Sequence, residues 1–540
     1  MPDKKYDLVV RRGNVVDGLG NPAFEADVAV LNGRIAAIGK IDAMGKVEID
    51  AKGKVVCPGF ISLHEHADTN YLIDNSGDNM LRQGVTTEVH GNCGFSAFPW
   101  SEQVARALAS DPALSMAFAF AGSSLMDESQ RSWTDLSGLF AALKRKGLPL
   151  NYATMVGHAN LRYYVMGETK IEPDEQDMAA MAHLVREAMR QGALGLSTGL
   201  QYMPGCFATT DEIVALAAVA ARYGGYYATH QRDYSVKFLQ AIQESLEISR
   251  RSGAPLQLSH YEAAGKPVWG TAAVGLQMLR DAIAAGMDVA SETVPHRVAG
   301  QAAALVLPVW VKEGGPTAVK QRLAQIGQDP ELYSRLVQEI DAFCIGSTED
   351  GWNSPTFLHM ARHENLKYKG KTVAEAAQMA GKPPANLYVD LLIEGEECWT
   401  VTKVISEENM VLQFKEPYMS IVSDAATARG VWPRFLAGFV KEKKIMSLEE
   451  GIKRCTSVPA RRVCKDRGVL KPGFWADIVV MDYDKIDTEA RLKYELWDGP
   501  GPFPKGFDQV IVNGKLTINQ GENLRPLAGQ VIYGPGYGIA

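Results

Sequence analysis

The chain has 540 residues, of which 46% are hydrophobic and 22% charged, a globular composition that excludes an extended disordered chain. This length exceeds the roughly 250–300 residues that one core supports, so we expect one large domain with a smaller satellite. Lys and Arg number 56 against 63 Asp and Glu, a formal net charge of -7, which argues against a nucleic-acid partner.

The cysteines and the apolar segments of the sequence indicate where in the cell the protein is expected. The seven cysteines are scattered without a CxxC pair, which favours a reducing cytoplasm over a disulfide framework. Residues 1–7 lack the apolar stretch of a signal peptide. The longest apolar run, near residues 298–311, is well short of the roughly 20 residues that a membrane span needs. We therefore expect a cytoplasmic protein with no membrane partner.

Both ends of the chain have the pattern of short strands joined by tight turns. Apolar runs flank an Asn-Gly pair at residues 32–33 and another at residues 513–514, and Asn-Gly is a strong hairpin signal. Residues 476–482 have the pattern of a further strand. The sequence therefore predicts one small β-sandwich domain built from both termini, residues 1–57 and 466–540.

Residues 58–465 alternate short apolar strands with alanine-rich helical stretches. The clearest run reads strand, helix, strand, helix, strand, at residues 192–196, 211–223, 226–230, 238–251 and 256–260. Such alternation implies parallel strands with crossover helices, and at this length the natural closed form is an α/β fold, the (β/α)8 TIM-like barrel. Residues 296–400 fit the alternation poorly and predict an insertion.

Four histidines and one carboxylate lie at the ends of suspected strands. His64 and His66 follow an apolar run, and alternate residues of a strand point to the same side. His230 and His260 end two later strands, and Asp424 follows another apolar run. Barrel enzymes place catalysis at the carboxyl ends of their strands, and imidazoles with a carboxylate suit zinc. Each residue alone is compatible with a structural role, but together they predict a metal site.

Cys93 lies in the stretch Gly-Asn-Cys-Gly at residues 91–94 and has three interpretations. A free cysteine is most often a small buried hydrophobe. A thiolate nucleophile is the second interpretation, but no papain-like or caspase-like signature surrounds the residue. The third is a metal ligand, because thiolate binds zinc well. The chemistry of the residue alone leaves all three open.

Several short stretches recur in an order that is specific for one family. They are residues 59–61, 84–87, 91–94, 157–162, 195–205, 229–233, 258–260, 423–424, 456–461 and 466–470. With these stretches the chain resembles, nearly end to end, the N-acyl-D-amino-acid deacylase (D-aminoacylase) branch of the amidohydrolase superfamily.

The resemblance implies a hydrolase of an amide-type C–N bond with one or two zinc or similar divalent ions. It implies six metal ligands: His64, His66, Cys93, His230, His260 and Asp424. Cys93 would take the bridging place that a carbamylated lysine fills in hydantoinase-like relatives, and residues 193–200 contain no lysine. A bound divalent ion lowers the pKa of water to about 7 and polarises a carbonyl. Asp424 would then act as general base and return the proton to the leaving nitrogen.

Five further residues are candidates for contacts with a small-molecule amide substrate. Tyr202 and His158 are candidate donors to the oxyanion, with packing behind the site as the alternative interpretation of each. Glu262 and Glu292 would bring negative charge to the barrel mouth. Arg429 is the candidate cation on the loop after Asp424.

The chain departs from the family pattern in three places. Tyr261 and Glu262 stand where the family often has a histidine and a lysine. Residues 292–296 replace an Asp-x-Tyr-Pro-Tyr stretch, and the loop at residues 425–434 is shorter than the family loop that carries a His-Pro-Arg segment. We therefore hypothesise a neutral or cationic amide, or one whose carboxylate is masked. Arg434, like Arg429, would restore the ordinary free-acid substrate if it reached the pocket from this loop.

Two kinds of alternative function stay open at this point. One is a cyclic amide or imide hydrolase, or a deaminase, on the same fold. The absence of the strand lysine argues against the first of these. The other is a catalytically inactive scaffold paralogue, which the presence of the full ligand set disfavours. The sequence leaves the oligomeric state, including a homo-oligomer, undecided.

Overall fold

The computed structural model describes residues 5–111, 131–424, 429–487 and 502–539. Its strands are β1 Tyr6–Val15, β2 Phe24–Leu31, β3 Arg34–Gly39, β4 Gly45–Asp50, β5 Val55–Pro58, β6 Phe60–Ser62, β7 Val85–His90, β8 Asn151–Thr154, β9 Val156–Gly157, β10 Gly195–Gly199, β11 Tyr226–His230, β12 Leu256–Leu258, β13 Val289–Thr293, β14 Val298–Ala302, β15 Thr356–Met360, β16 Cys398–Lys403, β17 Met419–Ile421, β18 Ile478–Met481, β19 Phe507–Val512, β20 Lys515–Asn519 and β21 Glu522–Asn523.

The α-helices of these residues vary from single turns to five turns. They span Asn70–Ile73, Asp78–Leu81, Glu102–Ser110, Leu136–Lys146, His158–Met166, Glu175–Gln191, Thr210–Arg222, Phe238–Ser252, Ala272–Ala284, Val309–Lys312, Gly315–Ile326, Pro330–Ser347, Val373–Ala380, Pro384–Ile393, Glu407–Lys415, Val431–Pro433, Leu448–Cys455 and Ser457–Val463, and a π-helix spans Arg434–Glu442. Within the described part of the chain, no helix combines the length and the apolar character needed to cross a membrane.

The centre of the molecule is a parallel barrel. One run of parallel strands pairs β6, β7 and β8, and another pairs β9 through β13 and then β17. β8 and β9 are consecutive halves of one strand, which gives eight strand positions. The ends meet where the backbone N–H of Asp424 donates to the carbonyl of His64, at 3.1 Å. The alternation of strand and helix has therefore produced the (β/α)8 barrel that the sequence predicts.

The predicted strand at residues 192–196 begins later in the structure, at Gly195. The preceding helix Glu175–Gln191 ends on Gly192, which has a φ of 110° and closes the helix as a left-handed cap. A glycine adopts this conformation without the penalty that a Cβ would cause. The chain therefore needs Gly192 for the helix end and starts the strand three residues on.

Residues 298–403, here called the inserted unit, interrupt the alternation between β13 and β17. They form a three-stranded antiparallel sheet in the order β14, β16, β15, with helices packed around it. The unit has a hydrophobic core of its own, which includes Leu323, Leu336, Phe357 and Leu391. A separate core indicates that the unit is a distinct layer set over the barrel.

The two termini share one nine-stranded sheet. It runs in the order β21, β20, β19, β18, β5, β1, β2, β3, and β4 pairs with β1. Both Asn-Gly pairs form hairpin turns with positive φ, 52° at Asn32 and 48° at Asn513. This is the backbone of a turn that matches the right-handed twist of the flanking strands.

Candidate metal centre

All six side chains that are predicted to bind metal meet at the carboxyl ends of the barrel strands. His64 and His66 lie just beyond β6, Cys93 follows β7, and Asp424 follows β17. His230 is the last residue of β11 and His260 lies two residues past β12. The two histidines after β6 thus converge from a loop and not from the strand alternation that the sequence indicated. This end of a barrel is where its loops assemble active sites.

The thiol of Cys93 lies at the middle of the cluster. Its Sγ is 3.2 Å from Nε2 of His64, 3.7 Å from Nδ1 of His230 and 3.5 Å from Nε2 of His260. Nδ1 of His230 and Nε2 of His260 are 3.1 Å apart. Cys93, His230 and His260 therefore form one compact group of three ligand atoms.

Asp424 completes a second group on the other side of the thiol. Its Oδ1 lies 3.1 Å from Nε2 of His64 and 3.2 Å from Nε2 of His66. These two histidines, Cys93 and Asp424 place their ligand atoms within 4.8 Å of one another. The two groups share Cys93, so the arrangement has the form of two adjoining cation sites with a common thiolate.

Hydrogen bonds behind the rings fix which nitrogen faces the cluster. Nδ1 of His64 is 2.5 Å from a carboxylate oxygen of Glu292, and Nε2 of His230 is 2.9 Å from Oε1 of Gln201. Because these oxygens accept the outward N–H, the second nitrogen of each ring faces Cys93 and is the nitrogen that a cation would bind, with loss of any proton it carries. Lone pairs that converge on a thiol and a carboxylate suit a zinc-like ion. The donor set therefore fits a divalent metal.

The backbone is held in an uncommon conformation at three of the six residues. Cys93, His260 and Asp424 have φ angles of 51°, 29° and 51°. Non-glycine residues rarely adopt the left-handed region, and such strain concentrates at functional sites. Gly91 and Gly94 flank the turn at Cys93. A Cβ at Gly91 would lie 2.3 Å from the carbonyl oxygen of Met155, so the turn requires glycine there.

Charge compensates for burial within the cluster. Burial opposes the ionisation of Cys93, but the positive charge of His64 and contacts with the surrounding histidines outweigh it and hold the thiol pKa well below its ordinary value. Burial likewise raises the pKa of Asp424, yet His64 and His66 outweigh it and lower that pKa to about 2. Both groups are therefore anionic at neutral pH, as ligands of a cation must be.

A cavity of about 260 Å³ opens from the cluster toward the inserted unit. Tyr202 and Glu262 line it, as do Cys93, Asp424 and three of the histidines. The Tyr202 ring centre lies 4.5 Å from that of His230. Burial raises the pKa of Glu262 to about 7. Of the five substrate candidates from the sequence, the structure brings these two to the pocket.

The other three candidates lie elsewhere. Glu292 is fully buried behind His64 and does not reach the barrel mouth, because the Nδ1 proton of the imidazole engages it. Arg429 donates to Asn79 and sits with its guanidinium 4.0 Å from the centre of the Phe503 ring. Residues 425–428 of the same loop lie outside the described part of the chain.

His158 also lies away from the cavity lining. Its Nε2 is 2.9 Å from Glu212, which also accepts from Arg162 in a buried three-residue ionic group. Packing behind the site, the alternative that the sequence left open, describes this position.

Gln201 and the aromatic wall of the inserted unit are not among the site residues predicted from the sequence. Gln201 adjoins Tyr202 in the motif at residues 195–205, and its place beside a candidate donor was the available signal. Trp352, Tyr388 and Trp399 line the far end of the cavity. They are far apart in sequence and carry no local signal of a shared site.

The chain is similar to known proteins of one family. Residues 47–314 match the amidohydrolase family. The chain is 31% identical over 532 residues to the N-acyl-D-glutamate deacylase of Alcaligenes xylosoxydans xylosoxydans, with 96% of this chain and 94% of that protein covered. It is 28% identical over 517 residues to the D-aminoacylase of the same organism, with 94% of each chain covered.

A solved structure has the same fold and contains zinc. It is the N-acyl-D-glutamate deacylase from Bordetella bronchiseptica, complexed with zinc and a phosphonate inhibitor that mimics the tetrahedral intermediate of the reaction. Its TM-score is 0.78 at 28% identity, and the match covers 98% of this chain and 100% of that chain.

Proposed function

The chain belongs to the amidohydrolase family, in its N-acyl-D-amino-acid deacylase branch, and we propose that it hydrolyses a small N-acyl amino-acid-type amide at a zinc centre held by six side chains: His64, His66, Cys93, His230, His260 and Asp424. It is a metal-dependent hydrolase of an amide C–N bond. The observation that carries the ligand assignment is the pair of outward hydrogen bonds, from His64 to Glu292 and from His230 to Gln201.

The bound metal supplies a water of lowered pKa and a Lewis acid for the scissile carbonyl. Cys93 lies between the two ligand groups, and its thiolate would be shared by both. Glu292 and Gln201 keep two of the rings in the orientation and tautomer that ligation needs. Glu292 is fully buried behind His64, and Gln201 is a partly buried residue of the cavity wall beside His230.

Asp424 is the proposed general base and acid. Its carboxylate lines the cavity, and Oδ1 is held against His64 and His66, so the other oxygen is available to a water molecule. The water adds its oxygen to the carbonyl carbon while Asp424 takes a proton. The C–N bond then breaks, and Asp424 gives the proton to the departing nitrogen. Atoms balance with one water consumed for each amide cleaved.

Tyr202 is the proposed donor to the oxyanion that forms on the carbonyl carbon. It lines the cavity and packs against His230 and Phe95, which limits its ring to few orientations. A phenolic hydroxyl at such a position stabilises developing negative charge. His158 is not proposed for this role, because its Nε2 is engaged by Glu212.

The experiment measures metal and activity on the same preparation. The purified protein is assayed for amine release from a panel of N-acyl-D-amino acids and their amide analogues, with the L-isomers as controls. We expect elemental analysis to find one or two zinc equivalents, activity to vanish on chelation, and added zinc to restore it. Undiminished turnover by metal-free protein would contradict the mechanism. Bound metal with no turnover of any amide would favour the scaffold alternative.

A further inference from the structure

Acidic side chains line the cavity beside the metal centre. Its lining includes the carboxylates of Asp68, Glu262 and Asp424. Among the described residues, no Lys or Arg lines it. The described part of the pocket wall therefore offers a substrate carboxylate neither a guanidinium nor an ammonium group.

Such a carboxylate would be costly to bind against this wall. A buried charge without a partner is strongly unfavourable, and proteins usually meet a carboxylate with the two-pronged guanidinium of arginine. The Arg429 guanidinium is turned to Asn79 and Phe503. The charge of Arg434 acts on the pocket residue His296, where burial and then this charge lower the imidazole pKa to about 4, but Arg434 is not part of the lining.

The part of the cavity wall that the inserted unit provides is rich in aromatic side chains, with Thr400 and Thr402 among the polar residues beside them. The inserted unit contributes Trp352, Tyr388, Trp399 and Phe343 to the wall. The polar atoms of two of these side chains already form hydrogen bonds within the protein. Nε1 of Trp352 donates to Asp341, and the Tyr388 hydroxyl donates to the carbonyl of Ala303. The rings of Trp352 and Tyr388 lie 5.4 Å apart between centres and present carbon faces. A bulky apolar group gains most from such a surface.

We infer that the preferred substrate is an uncharged amide: its scissile bond lies at the metal centre, the position of the usual α-carboxylate is neutral, and an aromatic or branched aliphatic arm packs against the inserted unit. This inference rests on the proposed function, since it concerns the group that the same centre cleaves. It differs from the substrates named for the relatives, which are N-acyl-D-glutamate and N-acyl-D-aspartate.

The first experiment compares matched substrates on zinc-loaded enzyme. N-acetyl-D-phenylalanine and its primary amide differ only in the charge of one group. We expect kcat/KM for release of the α-amine to be about tenfold or more higher for the amide, the scale of one uncompensated charge contact. If the free acid is turned over faster than its amide, the inference is overturned while the proposed amide hydrolysis stands. Loss of that preference in Arg434→Met would then show that Arg434 binds the carboxylate. If neither compound nor any other amide is cleaved, the proposed function itself fails, and this inference with it.

The second experiment tests the aromatic wall. Trp352→Ala should raise KM for the phenylalanine amide about tenfold while KM for N-acetylglycinamide changes little, because only the larger arm reaches the ring. Trp352→Phe keeps a ring in the wall and removes the indole N–H that donates to Asp341, so it should raise KM for the phenylalanine amide less than Trp352→Ala does, and it keeps the test decisive if the alanine variant folds poorly. Equal changes in KM for the large and the small amide would overturn the assignment of the wall.

Discussion

The barrel rim and the inserted unit form opposite sides of one cavity, and their side chains differ in kind. At the rim, four candidate ligands are buried and His66 and Asp424 are partly buried, and two of the rings are fixed by a hydrogen bond from behind. Three of the ligands have left-handed backbones. In the inserted unit, the wall is made of rings packed on a separate hydrophobic core. We therefore propose that the strand ends carry the chemistry and that the inserted unit selects the substrate.

The most severe disruption of the rim side is Asp424→Asn. It removes the proposed base and weakens a metal ligand, so we expect kcat to fall about 10²–10⁴-fold, the range of positioned proton transfer. Steady-state kinetics with added zinc measures the loss, and Asp288→Asn, an exposed aspartate at the foot of β13, is the matched control. A variant with near-normal kcat would move the base to Glu262, which also lines the cavity.

Removal of the shared thiolate tests whether the rim is a metal centre at all. Cys93→Ala should lower metal content as well as turnover, with affinity at least about 10–100-fold weaker, since loss of a supporting residue alone has that effect. Elemental analysis after dialysis gives the content, and Cys464→Ala, which alters a half-buried thiol away from the cavity, is the control. Full metal occupancy with low turnover would instead favour a nucleophilic role for Cys93.

A subtler change to the rim is Glu292→Gln. The amide keeps the shape but removes the negative charge that orients the Nδ1 proton of His64. We expect zinc affinity to fall about 10–100-fold, with kcat partly restored at high zinc. Competition with a chromogenic chelator measures the affinity. Unchanged affinity would show that ring orientation depends on packing and not on this hydrogen bond.

The smallest expected effect concerns the junction of the two sides. The buried ammonium of Lys312, in the inserted unit, donates to the carbonyls of Leu305 and Gln201, and the Gln201 side chain supports His230. Lys312→Met should raise KM a few-fold, less than about tenfold, with kcat changed less, because a hydrogen bond from a charged donor is lost at a positioning residue. Lys320→Met alters an exposed lysine of the same unit and should change neither value. An equal fall in zinc content and kcat would instead show that Lys312 supports the metal centre.

Local secondary structure could be predicted from the sequence alone. Helical hydrophobic periodicity predicted the helices Thr210–Arg222 and Phe238–Ser252, and the short apolar run between them predicted the strand Tyr226–His230, all within about two residues. The Asn-Gly pairs at residues 32–33 and 513–514 predicted two hairpins, because only such residues accept the positive φ of those turns. These signals are local, so they depend on neighbours that the sequence displays.

Contacts between side chains far apart in the sequence became known only from the folded structure. Closure of the barrel brings Asp424 beside His64, the fold sets Glu292 behind that ring, and Glu212 engages His158 away from the cavity. The inserted unit likewise brings its aromatic wall together from distant segments. Such contacts depend on the relative placement of elements far apart in the chain, and no periodicity encodes that placement. Residue type and strand-end position therefore predicted five candidate ligands, and the family resemblance added Cys93, whereas only the folded chain showed the supporting residues and the shape of the pocket.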